Sequence, residues 1–193
     1  MKDIRNFTNT RILLAALVAA CIVDTLGLFV WRYTSEPDAP ITRWYDQIGS
    51  VAYVIDVASI VIGVVLTQFV TSFLGGVWNP LGFCMISVAI QMTHDIFFSQ
   101  IIVPLVPKGK NTIMDLMKDY STMKGAGWVL VVDGIYMVAA SLLTMIFAAY
   151  PSWIGLLTLL LTLYVTGYIL YTHPSNPTSG SSDTHRAADG TTP

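Results

Sequence analysis

Long unbroken apolar runs dominate this chain, and polar residues between them come in short clusters. Five runs stand out, at about 12–31, 50–74, 81–104, 126–149 and 152–171. Each reaches the roughly 18 apolar residues that cross a hydrocarbon core of about 30 Å at about 1.5 Å per residue. A soluble helical bundle would need charged faces on these segments, and almost none are present. The pattern predicts an all-α fold: a polytopic integral membrane helical bundle of about five transmembrane helices, forming a single transmembrane domain over residues 1–171.

The connections carry their own signals. Residues 32–49, "RYTSEPDAPITRWYDQIG", read as a polar loop in which Pro37 and Pro40 prevent a helix. Trp44 and Tyr45 fit an aromatic belt at the membrane surface. "GGVWNPLG" makes a short turn between the second and third runs, and Pro151 breaks the apolar stretch around "AAYPSW" into two spans rather than one long bent helix. Pro104 and Pro107 close the third span. Beyond them an amphipathic helix is expected over about 111–123, lying flat at the interface. Ile113, Leu116, Met117 and Tyr120 share one face, and Asp115, Lys118 and Asp119 the other. Asn111 or Thr112 supplies its N-cap, and Gly125 and Gly127 end it. The tail over 172–193, rich in Ser, Thr, Pro and Gly, cannot build a core and is expected to be disordered.

Composition agrees with the pattern: 54% of residues are hydrophobic and 11% charged, with a mean hydropathy of +0.63. The lipid bilayer is therefore the chain's first partner, and a net charge of −2 argues against nucleic acid. Cys21 and Cys84 both fall inside spans, with no CxxC, so neither a thiol-redox motif nor a zinc knuckle is present. "LVAAC" (Leu17 to Cys21) has the look of a lipoprotein cleavage box, but the apolar run continues to Trp31, so the segment reads as an uncleaved first span.

Five spans place the termini on opposite sides. Arg32, Arg43, Lys108, Lys110, Lys118, Lys124 and Arg186 lie with the long loops and the tail, against Lys2, Arg5 and Arg11 on the other side. The positive-inside rule then places the long loops and C-terminus in the cytoplasm.

Against this apolar background stand four acids, Asp24, Asp56, Asp95 and Asp133, one in each of the first four spans. Counting from the long-loop end, each lies about seven to nine residues in, at roughly 10–14 Å below one membrane surface. One acid in a span costs about 2.5–3.5 kcal/mol on insertion scales. Four at one depth are most simply explained by a common polar site in the bundle interior. The stripes agree: Ser87, Gln91, Asp95 and Ser99 recur every fourth residue, with His94 beside them. Asp56, Ser59, Gly63, Thr67 and Thr71 follow on the second span, Asp133, Tyr136, Ala140 and Thr144 on the fourth, and Ala16, Ala20, Asp24 and Gly27 on the first. His94 and Asp95 point about 100° apart and are expected to serve two walls of one cavity.

Carboxylates around an imidazole can bind a proton or a cation. Asp56, His94, Asp95 and Asp133 would also suit a divalent cation as metal ligands. Three functions compete. The first is a proton- or cation-binding or transport protein, with Asp24, Asp56, His94, Asp95 and Asp133 as its site. The second is a membrane-embedded metal-dependent or acid/base enzyme on a lipid-like substrate, helped by Asn111, Asp115 and Lys118 from the loop. The third is a structural or assembly component of a membrane, in which the acids only join helices. No potassium-filter sequence, paired E-x-x-H, H-E-x-x-H, serine-nucleophile motif or CDP-alcohol transferase pattern occurs. No lysine lies in a span, which removes a retinal Schiff base. Five thin spans enclose little volume, an argument for a homo-oligomer.

The segments "WYDQIG" (44–49), "MTHDIFF" (92–98), "VPKGKNTIMDLMKDY" (106–120) and "VLVVDGIYMVAASLL" (129–143) resemble an uncharacterised family of small multi-span membrane proteins encoded by large DNA viruses of algae and other protists. The resemblance implies a virion inner membrane or a host endomembrane as the setting. It supplies no catalytic residue.

Overall fold

The computed structural model describes residues 1–36, 39–122 and 126–172. Among them every regular element is helical: α1 (Thr10–Thr34), α2 (Pro40–Ile48), α3 (Ser50–Leu74), α4 (Pro80–Phe97), a π-helical turn (Phe98–Ile102), α5 (Val103–Leu105), α6 (Thr112–Thr122), α7 (Ala126–Phe147) and α8 (Ser152–Leu170). Among the described residues, five helices are long and apolar enough to cross a membrane: Thr10–Thr34, Ser50–Leu74, Pro80–Leu105, Gly127–Phe147 and Ser152–Leu170. The chain is a multi-pass membrane-type helical bundle, with boundaries within a few residues of the apolar runs.

Local chemistry explains the ends. Asn9 caps α1 by accepting from the Arg11 N–H at 3.0 Å. In the tight turn Gly75 and Gly76 take φ of 68° and 86°, a region that favours glycine, and Asn79 then caps α4 through the N–H groups of Leu81 and Gly82. Pro151 stands just before α8, so the last two spans are separate helices. Asn111 is the cap of α6, its Oδ1 accepting from Ile113 and Met114. Gly127 belongs to α7 rather than ending α6; Pro37, Gly125 and the tail over 173–193 lie outside the described residues.

One proline reading is corrected and one refined. Pro40 opens a helix instead of preventing one, because at the first helical position its missing N–H has no partner to lose. The third span does end between Pro104 and Pro107, but Pro104 itself lies inside the helix. The helix widens just before it, with Val103 N–H bonding to Phe98 O, and continues to Leu105. A π turn relieves the clash between a proline ring and the carbonyl one turn back.

α1 is the central helix, packed on α3, α7 and α8, while α4 rests on α3 and α7. Its small-residue seam makes this possible: Ala16, Ala20 and Gly27 are buried, and Gly155 of α8 packs against Leu14 and Val18. α8 carries Leu156, Leu157, Leu160 and Leu161 outward, a surface suited to lipid.

The two ends of the bundle are tied differently. At the turn end Arg5 donates to the Gly76 carbonyl, the Ser72 hydroxyl to the Arg5 carbonyl, and Arg11 Nε to the Tyr150 carbonyl at 3.0 Å. Fully buried Ile4 anchors this N-terminal segment. At the loop end α2 and α6 meet through the Arg43–Asp119 ion pair at 3.2 Å. Both long connections therefore sit at one end and form a roof over the spans.

Candidate functional site

Beneath that roof lies the acid level. Asp24 is the most enclosed of the four, only 3% exposed, because α1 is surrounded by other spans. Its Oδ2 is buried without a hydrogen-bond partner. The charges that act on Asp24 are those of Asp56 and Asp133, and those that act on Asp133 are Asp95 and Asp56. Asp56 is half-buried and its Oδ2 accepts two hydrogen bonds, from Trp44 Nε1 at 3.0 Å and Tyr45 Oη at 2.9 Å.

The roof thus reaches into the site. Trp44 and Tyr45 are buried in α2 rather than spread in an aromatic belt. Burial, followed by the charges of Asp56 and Asp24, pushes the Tyr45 hydroxyl well above its ordinary range, so it stays a donor. Tyr120 from α6 is also pushed up, first by burial and then by Asp133 and Asp56, which places the amphipathic helix over the same acids. Tyr136 lies in the α1–α7 contact, and its hydroxyl occupies the space that a Cβ on Gly27 would take. Arg32, buried at the end of α1, is used by the roof: it pairs with Asp46 at 2.6 Å, donates to the Leu170 carbonyl at 2.6 Å and lies over the Tyr45 ring.

The expectation that His94 and Asp95 line one cavity is corrected. The His94 side chain is 50% exposed on the outside of α4, its ring stacked near Phe98, whereas that of Asp95 is 18% exposed. Asp95 Oδ1 accepts from Gln91 Nε2 at 2.8 Å and lies 3.0 Å from His94 Nδ1; its Oδ2 is buried without a partner. Asp95 therefore borders the acid level, and the imidazole is turned away from Asp24 and Asp56. The side chains do not assemble a buried Asp/His cluster.

Each loop candidate for an enzyme is bonded to the backbone. Asn111 caps α6, Asp115 accepts from the Gly109 N–H at 2.9 Å, and Lys118 donates to the Val106 carbonyl. All three hold the 106–111 segment against α6. Among the described residues, no three His, Cys, Asp or Glu side chains are disposed to hold a metal ion, so the divalent-cation reading has no ligand set. Cys21 and Cys84 are buried and free.

Sequence reasoning missed Trp44, Tyr45 and Tyr120 as neighbours of the acids and Arg32 as part of the roof, whereas Tyr136 was already on the Asp133 stripe. The available signal was Pro40 at a helix start, which turns residues 40–48 into a helix able to fold back over the spans. Comparison with protein-family models, curated proteins and solved structures finds no match for the chain. The functional reading therefore rests on the site itself.

Proposed function

We propose that this membrane protein binds and releases protons through Asp24, Asp56 and Asp133, as a proton-binding or proton-transport protein. The observation that carries the reading is the Asp24 carboxyl: nearly sealed, with an unpartnered Oδ2, and with acids as its charged neighbours. Burying an ionised carboxylate without compensation costs several kcal/mol, and further like charges add to that cost. A carboxyl group escapes the cost by holding a proton. Trp44 and Tyr45 donate two hydrogen bonds to Asp56, compensation that the buried Asp24 Oδ2 lacks. The Lys and Arg excess on the long loops supports a cytoplasmic loop end. The likeness of four segments to viral membrane proteins supports a virion inner membrane or host endomembrane as the setting.

In the enzyme reading Asn111, Asp115 and Lys118 would act from positions already bonded to the backbone. The assembly reading keeps the acids as helix joiners, and one experiment separates it from ours. Liposomes holding the full chain and an internal pH dye are placed under a potassium diffusion potential. Proton entry should exceed that of empty liposomes and fall by about tenfold or more in Asp24→Asn. Wild-type vesicles no leakier than empty ones, or Asp24→Asn conducting as wild type, would contradict the proposal.

A further inference from the structure

Polar side chains continue below the acids. Gln91 donates to Asp95 Oδ1 at 2.8 Å, and its Oε1 lies 3.4 Å from the position of a Cβ on Gly63. One turn further from the loop end, α3 presents Thr67 and Gln68, α4 presents Ser87 and α7 presents Ser141, all with 0% exposure. Ser141 Oγ donates to Ser87 Oγ at 3.3 Å, which fixes α4 and α7 at the same level. Met137, one turn before Ser141, lies against Gly63, one turn before Thr67, so α3 joins that level too. Thr71 follows a turn below. It opens on a cleft of about 130 Å³ at the turn end, beside Arg5 and Trp78.

The hydroxyls of Thr67, Thr71 and Ser87 donate back to carbonyls of their own helices. Each keeps acceptor lone pairs for another donor. Gln68 is different. Its amide is fully enclosed by protein, and neither Nε2 nor Oε1 has a partner. Buried polar groups are almost always satisfied by protein or by ordered water, and inside a bilayer no bulk water is available. Gln68 stands at the level of these serine and threonine hydroxyls, and its unpartnered amide offers both a donor and an acceptor to an internal water.

We propose that the α3–α4–α7 seam is a water file joining the acid level to the turn end, with Gln68 holding its mid-membrane water. Its use as a proton path rests on the proton-binding reading of the acids. Each water in the file accepts a proton on one side by forming an O–H bond and releases another by breaking one on the far side. Charge moves through while every atom is conserved. The acids would then have one route to the loop end beneath α2 and α6, and a second through the seam to the cleft at Arg5.

Water access is measured apart from proton flux. In a background with Cys21 and Cys84 replaced by alanine, Ser141→Cys is exposed in vesicles to methanethiosulfonate ethylammonium. A thiol beside water ionises and reacts, whereas Leu160→Cys on the outward face of α8 serves as the lipid-facing control. The Ser141→Cys thiol should react about tenfold faster than the control, and adding Gln68→Leu should slow it by about tenfold. Gln68→Leu should also lower proton flux, while the infrared band of a protonated carboxyl group remains. Ser141→Cys as slow as the control overturns the water file; if Asp24→Asn still stops flux, the acid site stands without it. Fast labelling blocked by Gln68→Leu, together with unchanged flux in Asp24→Asn, keeps the water file and overturns the acid reading.

Discussion

Asp24 on α1 and Asp95 on α4 stand at a similar distance from the loop end, and each has a buried Oδ2 without a partner, yet they are enclosed to different degrees. Asp24 is sealed between α1 and its neighbours under the roof of α2 and α6. Asp95 sits at the rim with an exposed histidine beside it. Depth in a bilayer follows from counting residues at a fixed rise. Lateral enclosure depends on how many helices flank each span. α1 has three and α4 has two, a property of the assembled bundle that no single stripe carries.

The largest effects should separate the enclosed acid from the rim. In the proton-flux assay Asp24→Asn should lose about tenfold or more, whereas His94→Gln should change the rate by less than about twofold. A histidine variant as damaging as the aspartate variant would erase the distinction between the two walls.

Packing gives the next test. A Cβ on Gly27 would stand 1.5 Å from the Tyr136 hydroxyl, so Gly27→Ala must displace that ring from the enclosed wall. Overpacking of this kind costs about 1–3 kcal/mol and should appear as a lower unfolding temperature. Gly134→Ala on the α4 side, where Val88 Cγ1 lies at 3.6 Å, should be nearly neutral. Equal losses at both positions would show the two sides to be equally tight.

The roof has an inner and an outer ion pair. Arg32 is buried against Asp46, while Arg43 and Asp119 are both partly exposed, with side chains 38% and 43% open. Asp46→Ala leaves a buried guanidinium without its carboxylate and should cost about 2 kcal/mol, below the fully buried range because Asp46 itself is partly open. Asp119→Ala should cost under about 1 kcal/mol. Chemical unfolding in detergent would rank them, and the reverse order would contradict the burial argument.

The smallest effect lies at the turn end. The Arg5 guanidinium, hydrogen-bonded to Asp3, holds that carboxyl below its ordinary value of 3.8. A lowered carboxyl value means the contribution is complete above 3.8 and is lost as pH falls through the lower folded value. Arg5 also lies over the Trp78 ring, so Trp78 fluorescence should change only below that pH, and Asp3→Asn should remove the change. A transition centred above 3.8 would assign the change to another group.

Much of this architecture was legible in the chain. Apolar length gave the five spans, Pro151 separated the last two, and Asn111 marked the start of α6. Three features were not legible. Pro40 carries the same fixed φ whether it interrupts a helix or opens one, and only the fold-back of α2 onto Asp56 decides between them. His94 and Asp95 share one stretch of α4, but which flank is covered depends on where α7 docks. Asp24 had the fewest polar neighbours along its own helix and is nevertheless the most enclosed acid, because its partners come from α3 and α7.

Infrared spectroscopy of the reconstituted protein at neutral pH tests directly whether Asp24 holds a proton in the membrane. A protonated aspartic acid absorbs as a carbonyl, apart from the ionised carboxylate bands. The wild-type protein should show that band shifting on transfer to heavy water, and Asp24→Asn should remove it while His94→Gln leaves it in place. A neutral-pH spectrum with no protonated carboxyl band, or a band that survives Asp24→Asn unchanged, would contradict the account.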